Sequence, residues 1–326
     1  MGKKFSFAAA FCILSTVLSL CLGAARLDPA QLWQALLQGP GDTAGFILWY
    51  VRLPRTAACL LSGCALAVSG AVIQNVLHNK LASPSIIGVN SGAGLGVTLA
   101  CAAGAVSGWT VSGAAFLGAL VTVGAIVTLS NRVGASRTTV ILCGVAVNAF
   151  LNALSEGITT VIPEVGMITG DFRVGGFSAV SYLRLIPAGL GIGSGLIGLL
   201  LLHNQLDVLS LGEETAHGLG LKVHHMRGIF LALAALLAGC AVSFSGLLGF
   251  VGLIIPHAAR KFAGSDSSTL LPMCALCGAG FVTFCDVLAR LVFSPYELPV
   301  GILLAVVGGP FFLGLLLKGK GGRRYG

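Results

Sequence analysis

The chain has 326 residues, of which 56% are hydrophobic and only 9% are charged, whereas about 25% of the residues are charged in a soluble globular domain. The apolar residues form runs of about 18 or more, and each such run can cross a hydrocarbon core about 30 Å thick. This composition excludes a soluble protein. The formal net charge is +8, but the basic residues occur singly or in pairs between apolar runs, which argues against nucleic acid as a partner.

The apolar runs predict an all-α, polytopic integral membrane protein that has membrane lipid as its solvent. In chain order they lie at about residues 5–25, 56–77, 84–130, 139–160, 183–203, 228–257, 269–293 and 298–317. The first run follows Lys3-Lys4 and has two interpretations, a secretory signal peptide or an uncleaved first helix. The second is favoured because the run is long enough to span and the rest of the chain is also apolar.

Two of the runs are too long for one helix and are expected to break. Run 84–130 is interrupted by Gly104 to Gly108, and run 228–257 contains the polar, flexible stretch Ser243 to Gly246. Breaking both gives about ten transmembrane helices. An even number places both termini on the same side of the membrane.

Basic residues set the orientation, because Lys and Arg are in excess on the cytoplasmic side. The residues that flank the two ends are Lys3, Lys4, Lys318, Lys320, Arg323 and Arg324. With both termini cytoplasmic, 13 Lys and Arg residues lie inside and six outside. The prediction is a single transmembrane permease domain, residues 1–326, in a bacterial cytoplasmic membrane. Its cytoplasmic segment 204–227 and its outer segment 161–182 are long enough to carry function.

The ten cysteines all fall inside apolar runs, where free cysteine behaves as a small buried hydrophobe. Cys274 and Cys277 have a spacing found at zinc sites, but no second Cys or His pair lies nearby in the sequence. His257 likewise has no neighbouring ligands. The sequence therefore predicts no metal and no cofactor.

Four blocks of sequence occur in the order found in one family. They are Arg52-Leu53-Pro54-Arg55 followed by Asn79 to Pro84; Leu209 to Gly220; Gly249 to Leu253 with Pro256, His257 and Arg260; and Asp286 to Arg290 followed by Glu297 to Gly301 and Gly309 to Phe312. From about residue 50 to its end the chain resembles the FecCD-type iron-chelate (siderophore or haem) and cobalamin permeases of binding-protein-dependent ABC importers. It departs from them at Lys80, where Pro is usual, and at Arg173 to Phe177, where Trp-x-x-Gly-Ser-Leu is frequent.

The resemblance implies a permease subunit that is not itself an enzyme. Its partners would be a second permease subunit (the same chain or a close homologue), two ATPase subunits that hydrolyse ATP, and an extracytoplasmic substrate-binding protein. The implied cargo is a ferric siderophore or haem, with cobalamin as the alternative. The competing interpretation is an ion-coupled secondary transporter, which needs ionisable residues inside the spans. Only Glu156, in the fifth span, favours it, and the role of Glu156 stays open.

The resemblance also assigns residues that bind the substrate-binding protein. Arg52 and Arg55 are three residues apart and share one helix face, and with Arg290 they would receive acidic side chains of that protein. The alternative is that the arginines extend to lipid phosphates at the interface. Asp286 and Arg290, four residues apart, are in the favourable order for an intrahelical ion pair.

The cytoplasmic segment is expected to contact the ATPase. The sequence from Asp207 to Gly220 predicts one short helix with a capping box formed by Ser210 and Glu213. This helix is either a surface connector or a coupling element, and the resemblance favours coupling. The coupling residues are then Ser210, Leu211, Gly212, Glu213, Glu214, Ala216 and Gly220. Arg137 and Thr138, at the entry to the fifth span, correspond to the possible cytoplasmic gate of the family.

Overall fold

The computed structural model describes residues 2–23, 29–134, 136–292 and 296–321. Within these ranges every regular element is helical. Arg323 and Arg324, which contribute to the predicted orientation, lie outside the described residues.

In chain order the helices are α1 (Gly2–Cys21), α2 (Pro29–Gln38), α3 (Thr43–Phe46), a π-helical segment (Ile47–Arg52), α4 (Leu53–Leu77), α5 (Val89–Ala102), α6 (Gly108–Val133), α7 (Arg137–Val161), α8 (Pro163–Val174), α9 (Tyr182–Leu201), α10 (His203–Ser210), α11 (Glu213–Gly218), α12 (Val223–Ser245), α13 (Val251–Ala263), α14 (Ser267–Val292) and α15 (Val300–Gly321). Seven helices of the described residues are long and apolar enough to cross a membrane. The all-helical prediction is confirmed.

Both predicted breaks are present. Run 84–130 divides between α5 and α6, and run 228–257 divides between α12 and α13. At the second break Gly246 has a φ of +69°, and a Cβ on this residue would lie 2.5 Å from the Phe172 carbonyl oxygen. Only glycine tolerates both this backbone angle and this close approach.

The second span begins earlier than hydropathy indicates. Its helix is continuous from Thr43 to Leu77, although Pro54 lies in its interior and has no N–H to donate. The turn before Pro54 is π-helical, and the Leu53 N–H bonds to the Leu48 carbonyl five residues back. The wider turn lets the helix pass the proline without ending.

Helix α4 is the centre of the bundle and packs most extensively on α14. Glycines let the two backbones approach: a Cβ on Gly63 would lie 2.2 Å from the Gly278 carbonyl oxygen, and a Cβ on Gly278 would lie 2.3 Å from that of Gly63. Such close approach is how helices associate in lipid, where burial of apolar surface between helices gains little. Side chains on α4 are accordingly among the most buried of the chain.

This contact gives a paired prediction. We expect Gly63→Ala to destabilise the protein by roughly 1–3 kcal/mol, because its methyl group would overlap the Gly278 backbone. Gly113→Ala is the matched control: its Cβ would meet no atom within 4 Å, so loss of a flexible helix residue should stabilise by roughly 0.5–1 kcal/mol. Thermal unfolding in detergent measures both. Equal effects of the two substitutions would contradict the close-packing account.

Candidate functional sites at the two ends of the bundle

One end of the bundle carries a cluster of arginines around a buried carboxylate. Asp286 is 1% exposed and accepts hydrogen bonds from Arg55, with Nη2 at 2.9 Å from Oδ1 and Nε at 3.1 Å from Oδ2. Arg290 Nε lies 3.0 Å from Oδ2 of the same carboxylate. Arg55 Nη1 also donates to Glu297 Oε2 at 2.6 Å. The predicted intrahelical pair of Asp286 and Arg290 is confirmed, and Arg55 joins it from α4.

Arg52 and Arg290 also donate hydrogen bonds to the C-terminal end of α1. Arg52 donates to the carbonyl oxygens of Leu20 and Cys21, and Arg290 Nη1 donates to that of Leu22 at 2.9 Å. The last carbonyls of a helix have no intrahelical donor, so cationic side chains stabilise them. These bonds tether α1 to α4 and α14.

The structure therefore brings together the three predicted docking residues. Arg52 and Arg290 are 4% and 5% exposed. The Arg55 side chain is 11% exposed, and its hydrogen bonds are made inside the chain. Of the cluster's acids, Glu297 is the more accessible, at 37% side-chain exposure. Docking remains a prediction, and the geometry adds a structural role that the arginine spacing did not suggest.

At the other end of the bundle lies the predicted coupling segment, and its local structure differs from expectation. It forms two short helices, α10 and α11, separated at Gly212, which has a φ of +119°. The predicted capping box is wrong. Ser210 is the last residue of α10, and its hydroxyl donates to the Asp207 carbonyl. The Glu213 carboxylate accepts a hydrogen bond from Arg227 instead of from the Ser210 backbone N–H.

Glu213, Arg227 and Arg137 form a charged group at the start of α7 and α12. The Glu213 carboxylate pairs with Arg227. Burial acts to raise the pKa of Glu213, but the hydrogen bond and charge of Arg227, with the nearby charge of Arg137, lower it overall. The pair therefore contributes stability above the ordinary pKa of Glu and loses it as the pH falls through the lowered value. The predicted gate residue Arg137 thus lies beside the predicted coupling residue Glu213, and Thr138 follows it as an exposed residue.

Helix α10 is bonded to both central helices. His78 ends α4 in the left-handed region, with a φ of 49°, and its Nε2 lies 2.9 Å from the Ser210 carbonyl oxygen. Burial, and then the charge of Arg137, lower the pKa of His78, which favours the neutral ring that donates this bond. Asp207 Oδ1 accepts the Ser267 N–H at 2.9 Å and so caps the first turn of α14.

Beside α11 the segment offers an open groove of about 830 Å³. Its lining includes Glu213, Glu214, His217, Gly220 and His224. Ala216 is fully buried and anchors α11, whereas Leu211 and Leu219 are 61% and 64% exposed. Gly220, two residues after the end of α11, has a φ of +82°.

The residues considered as metal ligands have other roles or no common site. The His257 ring packs edge-on against the Phe311 ring, with 5.9 Å between centroids. In the described residues no group of three or more His, Cys, Asp or Glu side chains is arranged to hold a metal ion.

The arginine cluster gives a second paired prediction. We expect Asp286→Asn to cost about 3–5 kcal/mol of stability, because it leaves the buried charges of Arg55 and Arg290 without their carboxylate. Glu297→Gln removes the other acidic partner of Arg55, but solvent screens that carboxylate, so its loss should cost at most about 1 kcal/mol. Thermal unfolding in lipid nanodiscs distinguishes them, and similar losses for both would contradict a central role of Asp286.

Comparison with known proteins agrees with this architecture. Residues 11–318 match the FecCD transport family. A protein of Helicobacter pylori strain J99, described as an iron chelatin transport system permease, is 35% identical over 98% of this chain and 100% of its own length. The vitamin B12 import system permease protein BtuC of Salmonella paratyphi A is 36% identical over 94% of this chain and 92% of its own.

A solved structure has the same fold. It was described as an inward-facing conformation of a metal-chelate type ABC transporter, and it superposes with a TM-score of 0.84 at 29% identity, covering 98% of this chain and 100% of the other. The family match extends over both ends of the bundle, from α1 to α15. The chain therefore belongs to the FecCD transport family and is a multi-pass membrane permease.

Proposed function

We propose that this chain translocates an iron chelate, with cobalamin as the alternative cargo, as the permease subunit of an ABC importer. The passage lies between two permease subunits, this chain and a second copy or close homologue. The observation that carries the proposal is the similarity, over nearly the whole chain, to an iron chelatin permease and to a vitamin B12 permease. Glu156 is the only acidic residue inside the apolar part of the seven long spans besides Asp286, which is paired, and this disfavours an ion-coupled secondary transporter.

The proposed topology is a single domain, residues 1–326, with ten crossings and both termini in the cytoplasm. The seven long helices together with α5, α13 and α15 supply this number. Lys4 Nζ donates to the Phe262 carbonyl at 3.0 Å, so the start of α1 lies beside the end of α13. The contact requires these two positions to lie on the same side of the membrane, and in the proposed topology both are cytoplasmic.

The segment 204–227 is proposed to receive the ATPase subunits. Exposed Leu211 and Leu219 give it an apolar contact surface, and the groove beside α11 gives it a concave one. Movement of the segment would reach the gate through the charged group of Glu213, Arg227 and Arg137. The two short helices are thus suited to coupling, although they are not the single capped helix that the sequence suggested.

The arginine cluster is proposed to receive the substrate-binding protein at the outer face. Docking there would place an acidic side chain next to Arg55, in competition with the half-exposed Glu297. Arg52 and Arg290 would act mainly by holding α1 and Asp286 in place. Charge-assisted bonds of this kind are about twice as strong as neutral ones.

The function is tested by uptake in cells that lack this chain. We expect them to lose uptake of a radiolabelled ferric chelate, and to regain it when the wild-type chain is supplied. Loss of labelled cyanocobalamin uptake with iron-chelate uptake intact would assign the alternative cargo. Uptake that continues after ATP is depleted, with the ion gradients maintained, would contradict the ABC importer and favour the secondary transporter.

Coupling through α10 is tested at His78. Glycine is preferred at a left-handed helix end, so we expect His78→Gly to preserve or raise thermal stability while removing the bond to Ser210. Transport per ATP hydrolysed should then fall roughly three- to tenfold, as loss of one hydrogen bond in the coupling path implies. His78→Gln, which keeps a donor at similar reach, should retain part of the coupling.

The matched control for this experiment is His203→Ala. His203 also bonds a carbonyl, that of Leu200 at 2.7 Å, but within its own turn. Transport and ATP hydrolysis are measured together in proteoliposomes that contain the ATPase and the binding protein. If His78→Gly and His203→Ala behave alike, His78 does not transmit motion.

A further inference from the structure

A groove runs along the surface of the bundle between α6, α9 and α12. Helices α6 and α9 both pack on α12 but touch each other little, and the gap between them has a volume of about 200 Å³. Its walls are mainly apolar, and they include Trp109 and Phe116 of α6, Pro187 and Gly191 of α9, and Leu236 and Cys240 of α12. The groove is therefore suited to a narrow apolar group.

The surface around the groove is suited to lipid. Leu117 on α6 and Ile186 and Leu190 on α9 are 59%, 61% and 72% exposed. In a multi-pass membrane protein, exposed apolar side chains of this kind mark a surface in contact with the bilayer. Acyl chains are thus the apolar groups nearest to the groove.

The groove begins at the depth where lipid phosphates lie. Trp109 is the second residue of α6 and Arg184 is the third residue of α9, so both belong to the first turns of these helices. Trp109 and Tyr182 are 49% and 38% exposed, and such aromatic residues are enriched at the membrane–water interface. From Trp109 to Phe116 the groove follows α6 for about 10 Å. It therefore leads from the interface into the apolar layer.

Arg184 lies at the mouth of the groove with most of its donors unused. A guanidinium group has five N–H donors. Within the described residues the Arg184 side chain makes one hydrogen bond, to the Ala179 carbonyl oxygen. Arg184 also borders the cavity that Asp171 and Glu297 line, but it forms no ion pair with either of these acids. Its charge is available to a further anion.

The surroundings of this guanidinium are positive. A Cβ on Gly108, the first residue of α6, would lie 3.0 Å from the Arg184 Cζ atom, so the guanidinium rests against the start of that helix. The N-terminal end of a helix carries partial positive charge, and neither α6 nor α9 has an acidic residue in its first turn. A negative group at the mouth of the groove would offset the guanidinium and both helix ends together.

A buried hydroxyl in the wall of the groove also has no partner. Ser112 lines the groove and is 8% exposed, and its Oγ makes no hydrogen bond within the described residues. It follows Gly108 by one turn, so it lies about 6 Å deeper along α6. A buried polar group without a partner is costly. The ester oxygens of a phospholipid lie just inside its phosphate and are acceptors at this depth.

We propose that the groove binds one phospholipid of the leaflet at the arginine-cluster end of the bundle, with its phosphate on Arg184 and one acyl chain between α6, α9 and α12. The chain alone gains little, because the bilayer is as apolar as the groove. Affinity therefore depends on the phosphate, which a guanidinium binds through two parallel hydrogen bonds. The bound lipid fills the gap between α6 and α9. Occupancy of this site does not depend on which cargo is carried.

The site is tested with Trp109 as a local probe. Replacing Trp33 and Trp49 by Phe leaves Trp109 as the single tryptophan of the three in the chain. The full-length protein in detergent is titrated with phosphatidylglycerol or with diacylglycerol, each carrying brominated acyl chains that quench tryptophan fluorescence on contact. We expect saturable quenching by phosphatidylglycerol, at a concentration at least about tenfold below that needed for diacylglycerol, as one charge-assisted hydrogen bond implies. Equal quenching by the two lipids overturns the proposal.

Substitution of Arg184 tests the phosphate contact. We expect Arg184→Gln to raise the half-saturating concentration of phosphatidylglycerol at least about tenfold. Arg184→Lys keeps the charge but not the fork of donors, so it should retain part of the affinity. If Arg184→Gln leaves quenching unchanged and instead weakens binding of the substrate-binding protein, the charge of Arg184 serves docking and the lipid site is wrong.

Filling the groove tests the position of the acyl chain. Gly113 lines the groove, and a Cβ on it would meet no atom within 4 Å, so Gly113→Leu has room to enter the groove without displacing protein atoms. We expect it to abolish saturable quenching. Gly124→Leu is the matched control, because Gly124 is also exposed on α6 with no atom near its Cβ but lies outside the groove. Equal effects of the two substitutions would overturn the site.

Discussion

Helices α4 and α14 approach so closely that their backbones are in contact. Gly63 and Gly278 let the two backbones meet, and this distance allows Arg55 on one helix to reach Asp286 on the other. The buried carboxylate also compensates the charge of Arg290 through Nε, while Nη1 of Arg290 donates to the end of α1. A wider helix separation would leave Asp286 with one partner, and a buried, partly compensated charge is strongly destabilising.

The same two helices also define the other end of the bundle. At this end both helices are bonded to α10, α4 through His78 and α14 through the Asp207 carboxylate. A force on the segment 204–227 would therefore reach two helices that cannot slide past each other, because glycine contacts leave no space between them. The hydrogen bonds that α10 makes to α4 and α14, and the charged group around Glu213, lie outside this contact and are therefore the interactions that we expect to rearrange. Motion is thus expected at the periphery of a fixed centre.

Local sequence patterns predicted the features that depend on residues close together in the chain. Glycine and polar residues located both breaks in the long apolar runs, and the spacing of Asp286 and Arg290 gave their ion pair. The contact of Arg55 with Asp286 joins residues 231 apart and has no local signal. The capping box does not form because Glu213 pairs with the buried Arg227 of α12. A charged arginine is a stronger hydrogen-bond donor to a carboxylate than the backbone N–H of a capping box. Long-range electrostatics overrode a local rule.

The arginine cluster and the acids of α7 and α8 differ in how much of their charge is left unpaired. Arg52, Arg55 and Arg290 use their donors on Asp286, Glu297 and the carbonyls that end α1. Glu156 and Glu164, by contrast, are exposed and make no ion pair within the described residues. Since exposed charge acts on the surroundings while paired charge largely cancels, Glu156 and Glu164 contribute more to the potential outside the chain than the paired arginines of the cluster do.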